Sequence, residues 1–148
     1  MSLRDDLRNN LQSAMKARDE LTVSTIRLAL SAVRNSEIEK GRELTDEEVV
    51  EVLSREVKKR REAIEGAEKA GRPEIAEKES KELEVLSSYL PEQLCEEEIV
   101  SIVSQVVAEL GASSIKDRGR VMSVLMQRIK GRADGRTASR IVEQILQN

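Results

Sequence analysis
Eight basic residues fall within 25 positions near one end of this chain: Lys116, Arg118, Arg120, Arg128, Lys130, Arg132, Arg136 and Arg140. Only Asp117 and Asp134 oppose them, so the stretch carries a formal charge of +6. The preceding run from Pro91 to Ile115 holds five glutamates and no base. Guanidinium forks bind phosphate oxygens in pairs, and a concentrated positive field draws a polyanion toward it. The same residues would equally serve a small helical domain as a solvated face. Residue type alone leaves both readings open.

Other chemistry is scarce. With no histidine in 148 residues, an imidazole base, a Ser-His or Cys-His pair and a His-ligated metal are all excluded. The single cysteine, Cys95, precedes Glu96-Glu97-Glu98, a setting that disfavours a thiolate nucleophile. Neither the Gly-x-x-x-x-Gly-Lys-Ser/Thr phosphate loop nor Gly-x-Gly-x-x-Gly occurs. Most carboxylates fall at helix starts or four residues from a base, where they serve solvated faces. The expectation is a protein with no catalytic residues, no cofactor and no metal.

The elements that must carry the bases are helices. Apolar residues make up 39% of the chain and charged ones 36%, for a net charge of −3, and Tyr89 is the sole aromatic. A core of Leu, Ile, Val, Ala and Met suits helix-on-helix packing, so the expected fold is all-α. No run of 18 apolar residues occurs and the first residues hold no apolar signal block. One cysteine allows no intrachain disulfide. These features set the expectation of a cytosolic protein without a membrane partner.

Seven helices follow from spacing and caps. Ser2 and Asp5 open the first, which runs to about Arg18 with Leu3, Leu7, Leu11, Ala14 and Met15 inward. The second spans about Thr22 to Lys40 and stops at Gly41, with Val23, Ile26, Leu30 and Val33 as its stripe. Arg27 and Arg34 fall inside that stripe and are expected to pair with glutamates of the third or fourth helix, a ligand-binding pair being the alternative. Thr45-Asp46-Glu47-Glu48 is a capping box for the third helix. There Lys58-Lys59-Arg60-Arg61 points all round the axis and is expected to be solvated. Pro73 begins the fourth helix, which reaches about Ser88.

Pro91 disfavours helix at Leu90 and marks a boundary. The expected division is an N-terminal helical bundle at 1–90, a linker at 91–95 and a smaller three-helix domain at 96–148. In the latter, helices start near Glu96, Lys116 and Asp134, the second with Ser114 and Asp117 as its capping pair. The third places Arg136 and Arg140 outward, one turn apart, beside the loop bearing Arg132. Glycines 131 and 135 would let backbone approach a ligand, and the helix start favours anions unless the Asp134 carboxylate takes its amides. With so few aromatics, base stacking is disfavoured, and arginines on a helical surface suit the backbone of structured RNA. A DNA-reading helix-turn-helix is the rival, although the outward face offers no apolar residue to a thymine methyl.

Several strings together resemble the YqeY family. They are Leu90-Pro91-Glu92-Gln93-Leu94, Gly111-Ala112-Ser113-Ser114 with Lys116-Asp117, Gly119 and Val121-Met122, and Gly131-Arg132-Ala133-Asp134-Gly135. Glu56-Val57-Lys58-Lys59-Arg60-Arg61-Glu62 and Ala76-Glu77-Lys78-Glu79 also fit, so the resemblance is collinear over the whole chain. It departs at Cys95, where a polar residue is usual, and at Arg118, where an apolar one is. The resemblance implies a C-terminal part similar to the tail domain of GatB, the B subunit of glutamine-dependent tRNA amidotransferase. It thereby implies tRNA or another structured RNA as partner, and association with the amidotransferase. Carbon–nitrogen ligase activity with glutamine as amido donor belongs to that parent complex, and no residue here matches its catalytic domain. A protein-interaction adaptor, or an accessory component of transamidation itself, are the alternatives.

Overall fold
The computed structural model describes residues 2–147, and no strand occurs among them. Seven α-helices follow in order: α1 (Leu3–Lys16), α2 (Glu20–Lys40), α3 (Asp46–Lys69), α4 (Pro73–Ser87), α5 (Glu96–Leu110), α6 (Arg118–Ile129) and α7 (Gly135–Gln147). A single 3-10 turn, Ile115–Asp117, precedes α6. The all-α expectation therefore holds. The chain separates into two compact units, Met1–Leu90 and Pro91–Asn148.

In the first unit the caps that spacing pointed to are made. Ser2 Oγ accepts from the Asp5 amide at 3.1 Å, and Thr45 exchanges hydrogen bonds with Glu48 in a capping box. Gly41 ends α2 in the left-handed region at φ 70°, a conformation without penalty only for glycine. The core gathers Leu7 of α1, Ile26, Ala29 and Val33 of α2, Val49, Val52, Leu53 and Val57 of α3, and Leu86 of α4. α1 ends at Lys16, immediately before the turn of the chain at Ala17–Asp19, where Arg18 takes the left-handed conformation at φ 56°. Asp19 caps α2, with its Oδ1 accepting from the Thr22 amide at 3.2 Å, so α2 starts earlier than the apolar periodicity implied.

Two expectations are corrected here. The buried stripe of α2 is Thr25, Ile26, Ala29 and Val33, turned away from the line that Val23 and Leu30 would share. Arg27 and Arg34 each stand one residue beyond a buried position, about 100° round the helix, and both are exposed. Arg27 reaches only the Met15 sulfur, at 4.0 Å, and neither arginine meets a glutamate of α3 or α4. On α3 the run Lys58–Arg61 is not wholly solvated. Arg60 is buried, with Nε donating to Glu82 Oε2 at 3.2 Å and Nη1 lying 3.5 Å from Glu56 Oε2.

The second unit packs α5, α6 and α7 around Ile99, Val103, Val106, Val121, Leu125, Ile129, Ala138, Ile141, Val142 and Leu146. Val121, Leu125 and Ile129 of α6 are fully buried, whereas the neighbouring Met126 is exposed. The stretch expected as a linker belongs to this unit. Leu94 packs against its core, the Leu94 amide donates to the Arg132 carbonyl at 2.8 Å, and Gln93 Nε2 donates to the Gly131 carbonyl at 2.8 Å.

Candidate nucleic-acid interface
The loop between α6 and α7 is a tight turn. Lys130 (φ −52°, ψ 124°) and Gly131 (φ 75°) take the central positions of a type II turn, closed by the Arg132 amide donating to the Ile129 carbonyl at 2.8 Å. Gly131 is thus required by the turn, not by the approach of a ligand, and its carbonyl is taken by Gln93. At Gly135, whose φ is not positive, an added Cβ would meet Met126 Cε at an ordinary 3.6 Å. Asp134 Oδ1 accepts from the Arg136 amide at 3.3 Å, so the start of α7 already holds a carboxylate. An anion at this helix start would have to displace it.

Of the eight bases singled out by the sequence, four arginines carry carboxylate partners. Arg118 Nε lies 3.0 Å from Glu143 Oε1, and its Nη2 donates to Ser139 Oγ at 2.6 Å. Arg120 pairs with Asp117 Oδ1 at 3.3 Å and also donates to the Leu110 carbonyl. Arg128 grips Glu109 through both terminal nitrogens, and Arg140 reaches Glu96 across from α7 to α5. Lys130 is exposed at the end of α6. The Arg132 charge acts on Glu98 at longer range. The side chains of Lys116 and Arg136 are exposed and make no hydrogen bond or ion pair with the described residues.

Charge explains the pairing. Residues 91–148 hold eight bases and eight acids, so the +6 stretch is offset by Glu92, the four glutamates of α5 and Glu143 of α7. The Arg128 fork holds the Glu109 carboxyl below its ordinary range. Amides of Ser113 and Ser114 do the same for Asp117, with Arg120 adding to them. Glu98 is lowered mainly by Cys95, whose thiol donates to Glu98 Oε1 at 3.1 Å, and by the Cys95 amide. Cys95 therefore serves the entry of α5. A partner would meet Arg136 on the first turn of α7, the exposed Arg140–Glu96 pair one turn further on and Arg132 on the adjoining loop, a basic ridge at the start of the helix. Tyr89 offers no stacking platform here: it packs against the core of the first unit and takes a hydrogen bond from Asn10 Nδ2 at 2.8 Å.

Spacing did not disclose the glutamates that pair with these arginines, because they lie 19 to 44 positions away. A second group of bases was also passed over. In α1, the turn after it and α2, Leu7–Arg18 and Leu21–Ser36 carry five bases and no acid, although nearly one residue in five of the chain is acidic. The missing acids were the available signal.

Two all-α units, the second with a basic ridge at a helix start, define the class of this protein as a helical one. Residues 4–146 match the family described as Yqey-like protein, and the chain belongs to that family. It is similar to a Lachancea thermotolerans protein named "Altered inheritance of mitochondria protein 41, mitochondrial". The two are 33% identical over 112 residues, covering 74% of this chain and 60% of that protein. The Kluyveromyces lactis protein of the same name is 30% identical over 135 residues, covering 88% of this chain and 69% of the relative. The Pyrenophora tritici-repentis one is 27% identical over 143 residues, covering 95% and 78%.

These relatives overturn the expectation of a cytosolic protein, since they are named as mitochondrial. That expectation rested on the lack of an apolar signal block. Mitochondrial leaders are amphipathic and Arg-rich and carry no such block, so its absence does not separate the two compartments.

Proposed function
We propose that the second unit binds the phosphate backbone of tRNA or another structured RNA, as a non-catalytic module that works beside a tRNA-handling complex such as the amidotransferase. The observation that carries this reading is Arg136. It is exposed on the first turn of α7 without a side-chain partner, one turn from Arg140 and next to the loop that bears Arg132. Arg140 is held by Glu96, but both side chains are about half exposed or more. Exposed ion pairs contribute only ~0–1 kcal/mol, so a phosphate can take the place of Glu96 at little cost. Charge-assisted contacts of this kind need no aromatic platform, which this unit lacks.

Titrating labelled tRNA with the full chain over a salt series tests the reading. Binding should weaken steeply as salt rises, and Arg136→Ala with Arg140→Ala should lower both affinity and salt slope. Binding insensitive to salt, or unchanged in the double variant, would remove the second unit as the RNA site and favour a protein-binding adaptor. Adding the chain to amidotransferase that lacks its own tail addresses the complex: restored turnover would make it a component of transamidation.

A further inference from the structure
In the first unit, α1 and α2 enclose a groove of about 360 Å³ lined by Arg4, Arg8, Leu30, Ser31, Val33, Arg34 and Glu37. Three guanidinium groups and one carboxylate share its wall. Arg4 and Glu37 neutralise each other, for Arg4 Nη2 pairs with Glu37 Oε2 and its Nη1 lies 3.8 Å from Glu43 Oε2. Glu37 is further held by the Leu44 amide, which donates to it at 2.9 Å. Arg8 and Arg34 are different: both are exposed, and neither makes a hydrogen bond or ion pair with any described residue. The Ser31 hydroxyl is likewise uncommitted. Ser13, Ser24 and Ser88 each return their hydroxyl to a helix carbonyl three or four residues back, the usual fate of a helical serine, and Ser31 does not.

We infer that this groove binds a small phosphate-bearing anion, with Arg8 and Arg34 supplying charge and donor forks and Ser31 a hydroxyl. The two arginines come from different helices, so an anion between them is gripped from two sides. A tetrahedral group with several oxygens satisfies two forks and a hydroxyl together, which a single planar carboxylate does not. The surroundings favour the charge. Leu7–Lys16 on α1 and Leu21–Ser36 on α2 contain no acid, Asp19 and Glu20 lying at the far end where the helices join, and Lys16 and Arg27 add to the positive field along these helices. Leu30 and Val33 form an apolar floor, and the volume is that of a small-ligand site. Glu37 has the further effect of fixing Arg4 at the groove's end, so that the anion does not have to recruit it. The larger neighbouring groove, at Asp6, Asn9, Asn10 and Tyr89, has no base and no such preference.

Calorimetric titration of the full chain with inorganic pyrophosphate at low ionic strength tests this site, which is independent of the RNA reading of the second unit. Saturable one-to-one binding is expected. Arg8→Gln and Arg34→Gln should each weaken it about tenfold, as the loss of one charged hydrogen-bond partner implies. Ser31→Ala should weaken it less, and Lys69→Gln, remote in sequence from both helices, should leave it within twofold. Both arginines are exposed, so the variants should keep the wild-type circular dichroism spectrum and midpoint. No saturable binding of pyrophosphate, or an equal loss in Lys69→Gln, overturns the assignment. So does retention of wild-type affinity in the Arg8→Gln/Arg34→Gln double variant. A parallel titration with tRNA identifies the source of the phosphate: if the double variant loses tRNA but not pyrophosphate, the groove is a nucleic-acid contact and the small-anion assignment is wrong.

Discussion
Arg60 of α3 and Glu82 of α4 meet at 3.2 Å with each side chain only 10% exposed, forming a buried ion pair between two helices. Burying both charges is costly, and their attraction offsets that cost only while both are present. Glu82→Ala, or Arg60→Ala, should therefore destabilise the first unit by roughly 3–5 kcal/mol. Replacing both by leucine and methionine should be far milder, within ~1–2 kcal/mol of wild type. Urea midpoints of the three variants measure the difference. Equal losses in the single and double changes would show that packing, not charge, holds the two helices here.

For the second unit, changing Arg136 and Arg140 together to alanine should lower the magnitude of the log-log salt slope of tRNA binding by about 1.5–2. Glu96→Gln is the informative companion. It frees Arg140 from its partner, so affinity should rise slightly while the slope stays near wild type. A matched control needs Lys58 with Lys59, since changing Arg60 would break the buried pair. If that control abolishes binding and the Arg136/Arg140 change does not, the interface lies in the first unit.

Glu48 gives a dependence on pH. Its carboxyl sits far below the ordinary 4.5, first because Arg42 donates to it, then because of Lys40 and the Thr45 amide. A carboxyl depressed in the folded state contributes stability above its unfolded pKa and loses that contribution as pH falls through the folded one. The melting temperature of wild type should thus exceed that of Glu48→Gln most clearly above pH 5, and the gap should narrow steadily toward pH 2. Exposure and screening keep the effect modest. A gap that widens on acidification would contradict the assignment.

Arg18 occupies a left-handed position that most helix ends give to glycine. The Asp19 amide reaches back to the Ala14 carbonyl at 3.0 Å across this turn, so the conformation is set by the hairpin and not by the side chain. Arg18→Gly should raise stability, by about 0.5–1 kcal/mol, because it relieves the Cβ clash. Thermal melts read this directly, and a lowered midpoint would mean that the guanidinium contributes more than the backbone loses.

Local signals were legible and distant ones were not. The caps at Ser2, Thr45 and Ser114, and the stop at Gly41, depend on neighbours within a few residues, so spacing exposes them. The pairs Arg60–Glu82, Arg128–Glu109 and Arg140–Glu96 depend on which helix faces faces meet, and periodicity does not state that. For that reason the +6 stretch looked freer than it is. The α2 stripe was misplaced because Thr25 and Ala29, small and weakly apolar, fill the buried positions while Val23 and Leu30 are only half-buried.

Gln93 and Leu94 bind the carbonyls of Gly131 and Arg132, and this bears on where the second unit can be cut. A fragment that begins at Glu96 keeps all three helices, yet it exposes both carbonyls and removes the Leu94 side chain from the core. A transplantable version must begin at Pro91. Its first four residues are a clasp on the turn that presents Arg132, so a fusion partner joined there pulls on the basic ridge itself.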